Sequence, residues 1–126
     1  MSNHTAQQVL SVGGLPVGFV PQFHASATPM ADIQRVIDSA TPASLNMTLR
    51  PATYGWYAQT YPHEHFDGEQ LLRVKDDVVA SGAIFEPAVM PLQGWTGYTA
   101  ANNSHALSIA RVLKQFTDEG VEVRLR

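Results

Sequence analysis

Two histidines one residue apart, His63 and His65, lie in the stretch PHEHFDGEQ among Glu64, Asp67 and Glu69, in a chain with only 15% charged residues. Imidazole nitrogens and carboxylate oxygens are the ligands that zinc and other divalent transition ions accept. In an extended backbone, side chains two apart share a face. His63 and His65 then converge on one ion, Glu69 enters from the adjoining residues, and one position stays open for water or substrate. The same two histidines are acid–base candidates, because imidazole titrates near neutrality. The competing reading is a wet loop whose imidazoles and carboxylates only face solvent.

The pattern HEHFDGE resembles the first metal-binding motif of the cupin family, in which two histidines separated by one residue precede a glutamate by three or four. The resemblance implies His63, His65 and Glu69 as ligands of a divalent metal held in a β-barrel. It covers seven residues of 126. Where the family motif has flanking glycines, this chain has Tyr57 and Asp76. His105, which would have to serve as the family's later histidine ligand, falls in a predicted helix start. Two predicted helices also disagree with a barrel, so the likeness stays at the level of the motif.

His24, between a predicted strand and a predicted helix, is a third catalytic candidate beside His63 and His65. Tyr54, Trp56 and Tyr61 crowd one irregular segment, and Trp95, Tyr98 and Asn102 another. Flat rings with a polar edge suit the stacking of a ligand or the anchoring of a protein partner. The alternative is that the same rings complete the core. Ser26 and Thr28 stand near His24 without any motif that activates a nucleophile. Gly13-Gly14 and Ser81-Gly82-Ala83 are too short for a phosphate-binding loop.

The elements that must position these residues follow from hydrophobic period. Residues 16 to 23 alternate as a strand, with a hairpin at Gly13-Gly14 as an open alternative before it. Thr28 and Pro29 open a helix whose Ile33, Val36, Ile37 and Ala40 recur on one face, and Pro42 stops it. Leu45, Met47 and Leu49 alternate as a half-buried strand. Residues 51 to 70 and 86 to 103 read as irregular aromatic loops, although residues 95 to 99 can also form a strand. The span between them is ambiguous: Asp67 and Gln70 imitate a helix capping box, whereas LLRV and VVASGAIF suggest a hairpin about Asp76 and Asp77, and the hairpin is ranked first. Ala106, Ile109, Ala110, Leu113 and Phe116 define a second helix capped by Asn103 or Ser104, and VEVRLR closes the chain as a strand.

This order predicts one α+β domain over residues 1 to 126, with a polar tail at about 1 to 8. The expected architecture is a ferredoxin-like sandwich, a mostly antiparallel sheet with two helices on one face. Such a sheet has a second face to bury, which makes a homodimer the expected state.

Composition narrows the partners. Eight basic residues against eleven acidic ones give a net charge of −3, and no two basic residues are adjacent. That leaves little to neutralise a phosphate backbone or an anionic membrane surface, so neither nucleic acid nor membrane is expected. With no cysteine, thiolate chemistry, disulfides and cysteine-bound metal are excluded. Residues 1 to 14 lack the basic and apolar regions of a secretory signal, which makes the cytoplasm the expected location. Two functional readings result. One is a protein-interaction, regulatory or assembly module that uses its aromatic loops and sheet surface. The other is a small dimeric enzyme acting on an organic substrate by histidine acid–base chemistry, with or without a divalent metal at His63, His65 and Glu69. No cofactor is assigned with certainty.

Overall fold

A computed structural model describes residues 6–22 and 27–126. The chain has an α+β fold. β1 (Ala6–Val9) is followed by a small hairpin of β2 (Ser11–Val12) and β3 (Leu15–Pro16), then by α1 (Pro29–Ala40), a 3₁₀ turn (Ala43–Leu45), β4 (Met47–Arg50) and β5 (Thr53–Thr60). Two short helices, α2 (Glu69–Leu72) and α3 (Lys75–Ser81), lead to β6 (Ile84–Pro91) and the longest helix, α4 (Ser104–Thr117). No helix among the described residues is long and apolar enough to cross a membrane.

The predicted antiparallel, ferredoxin-like sheet is corrected by the strand pairing. β5 runs parallel to β6 over eight residues, Tyr54 opposite Phe85 and Trp56 opposite Pro87, and β1 runs parallel to β4. Among the described residues only the β2–β3 hairpin, two residues a strand, is antiparallel. The cause lies in the connection. Residues 69 to 81 form helices instead of the expected hairpin, and a helical crossover returns the chain to the same end of the sheet, which forces a parallel pair.

Backbone hydrogen bonds widen the β5–β6 pair on both sides. Phe19 N–H donates to Thr53 O at 3.0 Å and Gly55 N–H to Phe19 O at 2.8 Å, so residues 17 to 19 run parallel to β5. On the other side Phe85 N–H donates to Glu122 O at 2.9 Å, and Arg124 and Arg126 N–H donate to Phe85 O and Pro87 O. The predicted final strand is therefore present only as an isolated bridge at Val123. Pro87 explains this: it offers no N–H on the side that faces residues 122 to 126, and the ladder is interrupted there.

β5 was expected to be loop because its rings sit beside a glycine. In the structure Tyr54, Trp56 and Ala58 alternate toward the helices and are buried, while Tyr57 and Gln59 face outward. Gly55 does not mark a turn. A Cβ there would meet Val20 Cγ2 at 2.6 Å, so the residue allows close approach of the neighbouring segment. The core joins Tyr54, Trp56 and Phe85 of the sheet to Met30 of α1, Leu71 of α2, Val78 of α3, and Ile109, Val112 and Phe116 of α4. Phe85 stacks on Phe116 with ring centroids 4.5 Å apart, and Tyr54 meets Phe85 edge-on at 6.0 Å.

One buried carboxylate ties the layers together. Thr28 makes no side-chain capping bond at α1; Asp77 of α3 supplies it instead, accepting from Met30 N–H at 2.8 Å and Ala31 N–H at 3.2 Å. The same carboxylate accepts from the Tyr54 hydroxyl at 2.8 Å. Burial, then this hydrogen bond and the charge of Asp77, hold the Tyr54 phenol well above its ordinary range. An acid whose folded pKa exceeds its unfolded value contributes its full stability below the unfolded value and loses it as the pH rises beyond. Stability to urea is therefore expected to fall above about pH 10, where an unfolded tyrosine ionises. In Tyr54→Phe that part of the alkaline slope should be missing; an unchanged slope would show that Tyr54 is not its source.

Candidate functional site

β5 and β6 end side by side, and the loops that leave them hold most of the polar and aromatic candidates. Carboxyl ends of parallel strands are where open sheets of this kind gather ligands. After β5 the chain turns through Pro62 to Glu64 and runs on to Gly68, the residue before α2. Gly68 adopts φ +75°, which turns the chain into the helix, and the Asp67 carboxylate accepts from Glu69 N–H at 2.9 Å. Gln70, placed in sequence as the partner of Asp67, instead accepts from Gln59 N–H at 3.0 Å. It covers the edge of β5 beyond the point where residues 17 to 19 leave it.

These turns enclose a cleft of about 330 Å³ lined by Tyr61, Glu64, His65, Asp67, Glu69 and Gln70 among others. Three carboxylates at its wall make it rich in hydrogen-bond acceptors. It is complementary to neutral hydroxyl-bearing or cationic molecules and repels anions.

The metal constellation does not assemble. Residues 62 to 64 form a turn, whereas convergence of His63 and His65 required an extended backbone. Both histidines and Glu69 are exposed, and Glu69 faces Arg73 at 3.9 Å. Among the described residues no three His, Asp or Glu side chains are grouped to hold a metal ion. The β-barrel implied by the cupin resemblance is also absent from the described residues. His24 lies outside them.

Of the aromatic candidates, Tyr54 and Trp56 are core residues, a correction to their expected place in a ligand- or partner-binding loop. The Trp56 indole N–H donates to Gln70 O at 2.8 Å, which satisfies its polar atom inside the fold. Tyr61 is exposed at the cleft, and Trp95 is 70% exposed with Tyr98 edge-on at 6.1 Å. The Tyr98 hydroxyl shares a 2.5 Å hydrogen bond with Thr60 at the end of β5. Asn102 organises the turn before α4: its carbonyl accepts from Thr99 N–H at 2.9 Å and its side chain from Ser104 N–H at 3.2 Å.

The residue that joins the two loops was given no role in the sequence. His105 is buried in the first turn of α4, with Nδ1 3.0 Å from Thr96 O and Nε2 3.0 Å from Glu64 O. One imidazole thus spans the loop after β5 and the loop after β6. Its ring packs against Gly97, where a Cβ would lie 2.6 Å from it. The buried stripe of α4 is accordingly His105, Ser108, Ile109, Val112 and Phe116, one residue out of phase with the predicted stripe that began at Ala106. A signal was available: His105 stands at the i−4 position from Ile109 and i−7 from Val112, but a polar residue is not counted in a hydrophobic period.

Outside the cleft, the face of the sheet opposite the helices is the other large feature. It carries Tyr57, 49% exposed, and Met90, 57% exposed, with Glu86, Arg124 and Arg126 beside them. Arg126 reaches across β6 so that its Nη2 lies 3.4 Å from Glu86 O. Comparison with family models, with curated proteins and with solved structures returned no match.

Proposed function

We propose that this chain is an assembly module that docks a partner on the open face of its parallel sheet. The observation that carries this reading is the one-sided cover of that sheet. Among the described residues all four α-helices contribute to the core on the Tyr54 and Phe85 face, and none packs over Tyr57 and Met90. Parallel sheets occur almost only with both faces buried, because their crossovers supply helices to each side. Here every helix among the described residues serves one side, which favours a cover supplied by another polypeptide surface.

The enzyme reading has less support. His63, on a turn, and His65, just after it, are solvent-exposed, and His105 is committed to two backbone carbonyls. The acceptor-rich cleft is compatible with a small ligand, but it presents no base held against a nucleophile.

Methionine oxidation tests the assembly reading. Met90 should be oxidised freely by dilute peroxide in the diluted purified chain and several-fold more slowly in extracts where the chain is at its native level. Met30, 1% exposed, should be protected in both and serves as the internal reference. Equal Met90 rates in the two states would sink the proposal.

A further inference from the structure

We infer that the partner on the open face is a second copy of this chain, joined so that the two sets of paired segments close into one eight-stranded parallel ring. This rests on the assembly reading above and names its occupant. In space the segments follow their sequence order: residues 17 to 19, β5, β6, residues 122 to 126, each parallel to its neighbour. A sequential parallel array with all helices on one face is one half of the arrangement in which eight strands close, helices outside and sheet face inside.

The two outer edges are complementary. Among the described residues no hydrogen bond uses the backbone N–H or C=O of Gly18 or Val20 on one edge, or of Val123 or Leu125 on the other. The intervening residues Phe19, Arg124 and Arg126 point theirs inward, to β5 and β6. In a parallel ladder one residue bonds through both its N–H and its C=O to residues flanking its opposite number. Leu125 N–H can therefore donate to Gly18 O of the other copy, while Val20 N–H of that copy donates to Leu125 O. A two-fold axis along the strands repeats this at the second seam and leaves no free edge, which removes the hazard of an exposed strand edge.

Charge and area agree with a copy as occupant. The face brings Glu86 and Glu122 against Arg124 and Arg126, and Arg124 already pairs with Glu122 at 3.2 Å. Two acidic and two basic groups per copy allow two such faces to meet without net repulsion. At about 4.8 Å between strands and 3.3 Å per residue the face of these four segments measures roughly 400 Å². Stable interfaces bury about 800 Å² per partner, so stacking of faces alone falls short and pairing of the edges supplies the rest.

Sedimentation equilibrium on the full chain tests this. The wild type is expected at twice 13.7 kDa. Leu125→Pro removes an N–H that the chain itself does not use, so its circular dichroism should match the wild type while its mass falls to that of one chain. Arg124→Glu, at an exposed position, makes the meeting faces strongly acidic and should also give a single chain. A wild type that stays a single chain at every concentration overturns the inference, and so do two-chain masses for both variants. If the wild type is single while Met90 is still protected in extracts, the occupant is a different protein and only the copy is ruled out; an unprotected Met90 removes both readings.

Discussion

Replacing Asp77 by Ala is expected to cost about 3–5 kcal/mol, since leaving a buried hydrogen-bond donor unsatisfied costs about 1–3 kcal/mol and two such donors and a partly buried third lose their acceptor together. The carboxylate is 4% exposed and accepts three hydrogen bonds, from Met30 N–H, Ala31 N–H and the Tyr54 hydroxyl. Its removal strands the buried Met30 N–H and Tyr54 hydroxyl and the partly buried Ala31 N–H. It also deletes the negative charge at the amino end of α1, where the helix dipole favours one. Thr28, the residue before the helix, supplies no side-chain capping bond of its own. Asp77→Asn should cost less, about 2 kcal/mol, since one amide oxygen still accepts while the amide N–H₂ faces a donor. Urea denaturation measures both. A small domain has only about 5–15 kcal/mol in total, so the Ala variant should lie close to unfolding at ambient temperature. A cost below about 1 kcal/mol, the scale of one ordinary hydrogen bond, would mean that α1 is anchored by its apolar face alone.

Gly68→Ala is the second large effect, expected at about 2–5 kcal/mol. Two causes add. The residue has φ +75°, where a side chain costs about 1–2 kcal/mol. The new Cβ would also lie 2.4 Å from Val112 Cγ2 and 2.6 Å from Cγ1, so α4 or the loop must shift, an overpacking cost of about 1–3 kcal/mol. A double-mutant cycle separates them. Val112→Ala removes both Cγ atoms, and the double variant should be more stable than the sum of the single costs predicts, by the size of the clash. Strict additivity would assign the whole effect to the backbone. Because Gly68 ends the loop that forms the cleft wall, the variant should also displace the residues around Glu64 and loosen the His105 bond to its carbonyl.

The two long helices were legible because each advertises itself locally. Thr28-Pro29 at the start of α1 and the apolar recurrence along α4 are signals within a dozen residues, and Pro29–Ala40 and Ser104–Thr117 appear where those signals put them. The β2–β3 hairpin formed at Gly13-Gly14, the open alternative before residue 16. The span from Glu69 to Ser81 was misjudged because Val74, Val78 and Val79 have strand-like side chains, yet Val78 packs into the core from a helix, Val74 from the turn before it, and Val79 stays exposed. Burial on that face outweighs a propensity of a few tenths of a kcal/mol per residue. From that one choice the rest of the error followed, since a hairpin makes antiparallel neighbours and a helical crossover makes parallel ones.

At the site the division is similar. The chemical types around the cleft, the carboxylates, imidazoles and rings of residues 61 to 70, were visible as a concentration of polar residues in a weakly charged chain. Whether His63 and His65 share a face depended on the local backbone, and the turn at residues 62 to 64 parts them. The function of His105 could not be read from its neighbours, because both carbonyls it faces belong to loops 9 and 41 residues away.

By itself the sequence determined which residues are apolar, where α1 and α4 begin and stop, and which chemistries are closed to a chain without cysteine or clustered basic residues. Those are properties of composition and short-range period. Only the tertiary structure decided the direction of the strands, the burial of Tyr54 and Trp56, the capping of α1 by a carboxylate 46 to 47 residues away, and the exposure of Tyr57 and Met90. Each of these depends on which distant segments share an interface, and that is settled by how the whole chain best removes apolar surface from water while keeping every buried polar group bonded.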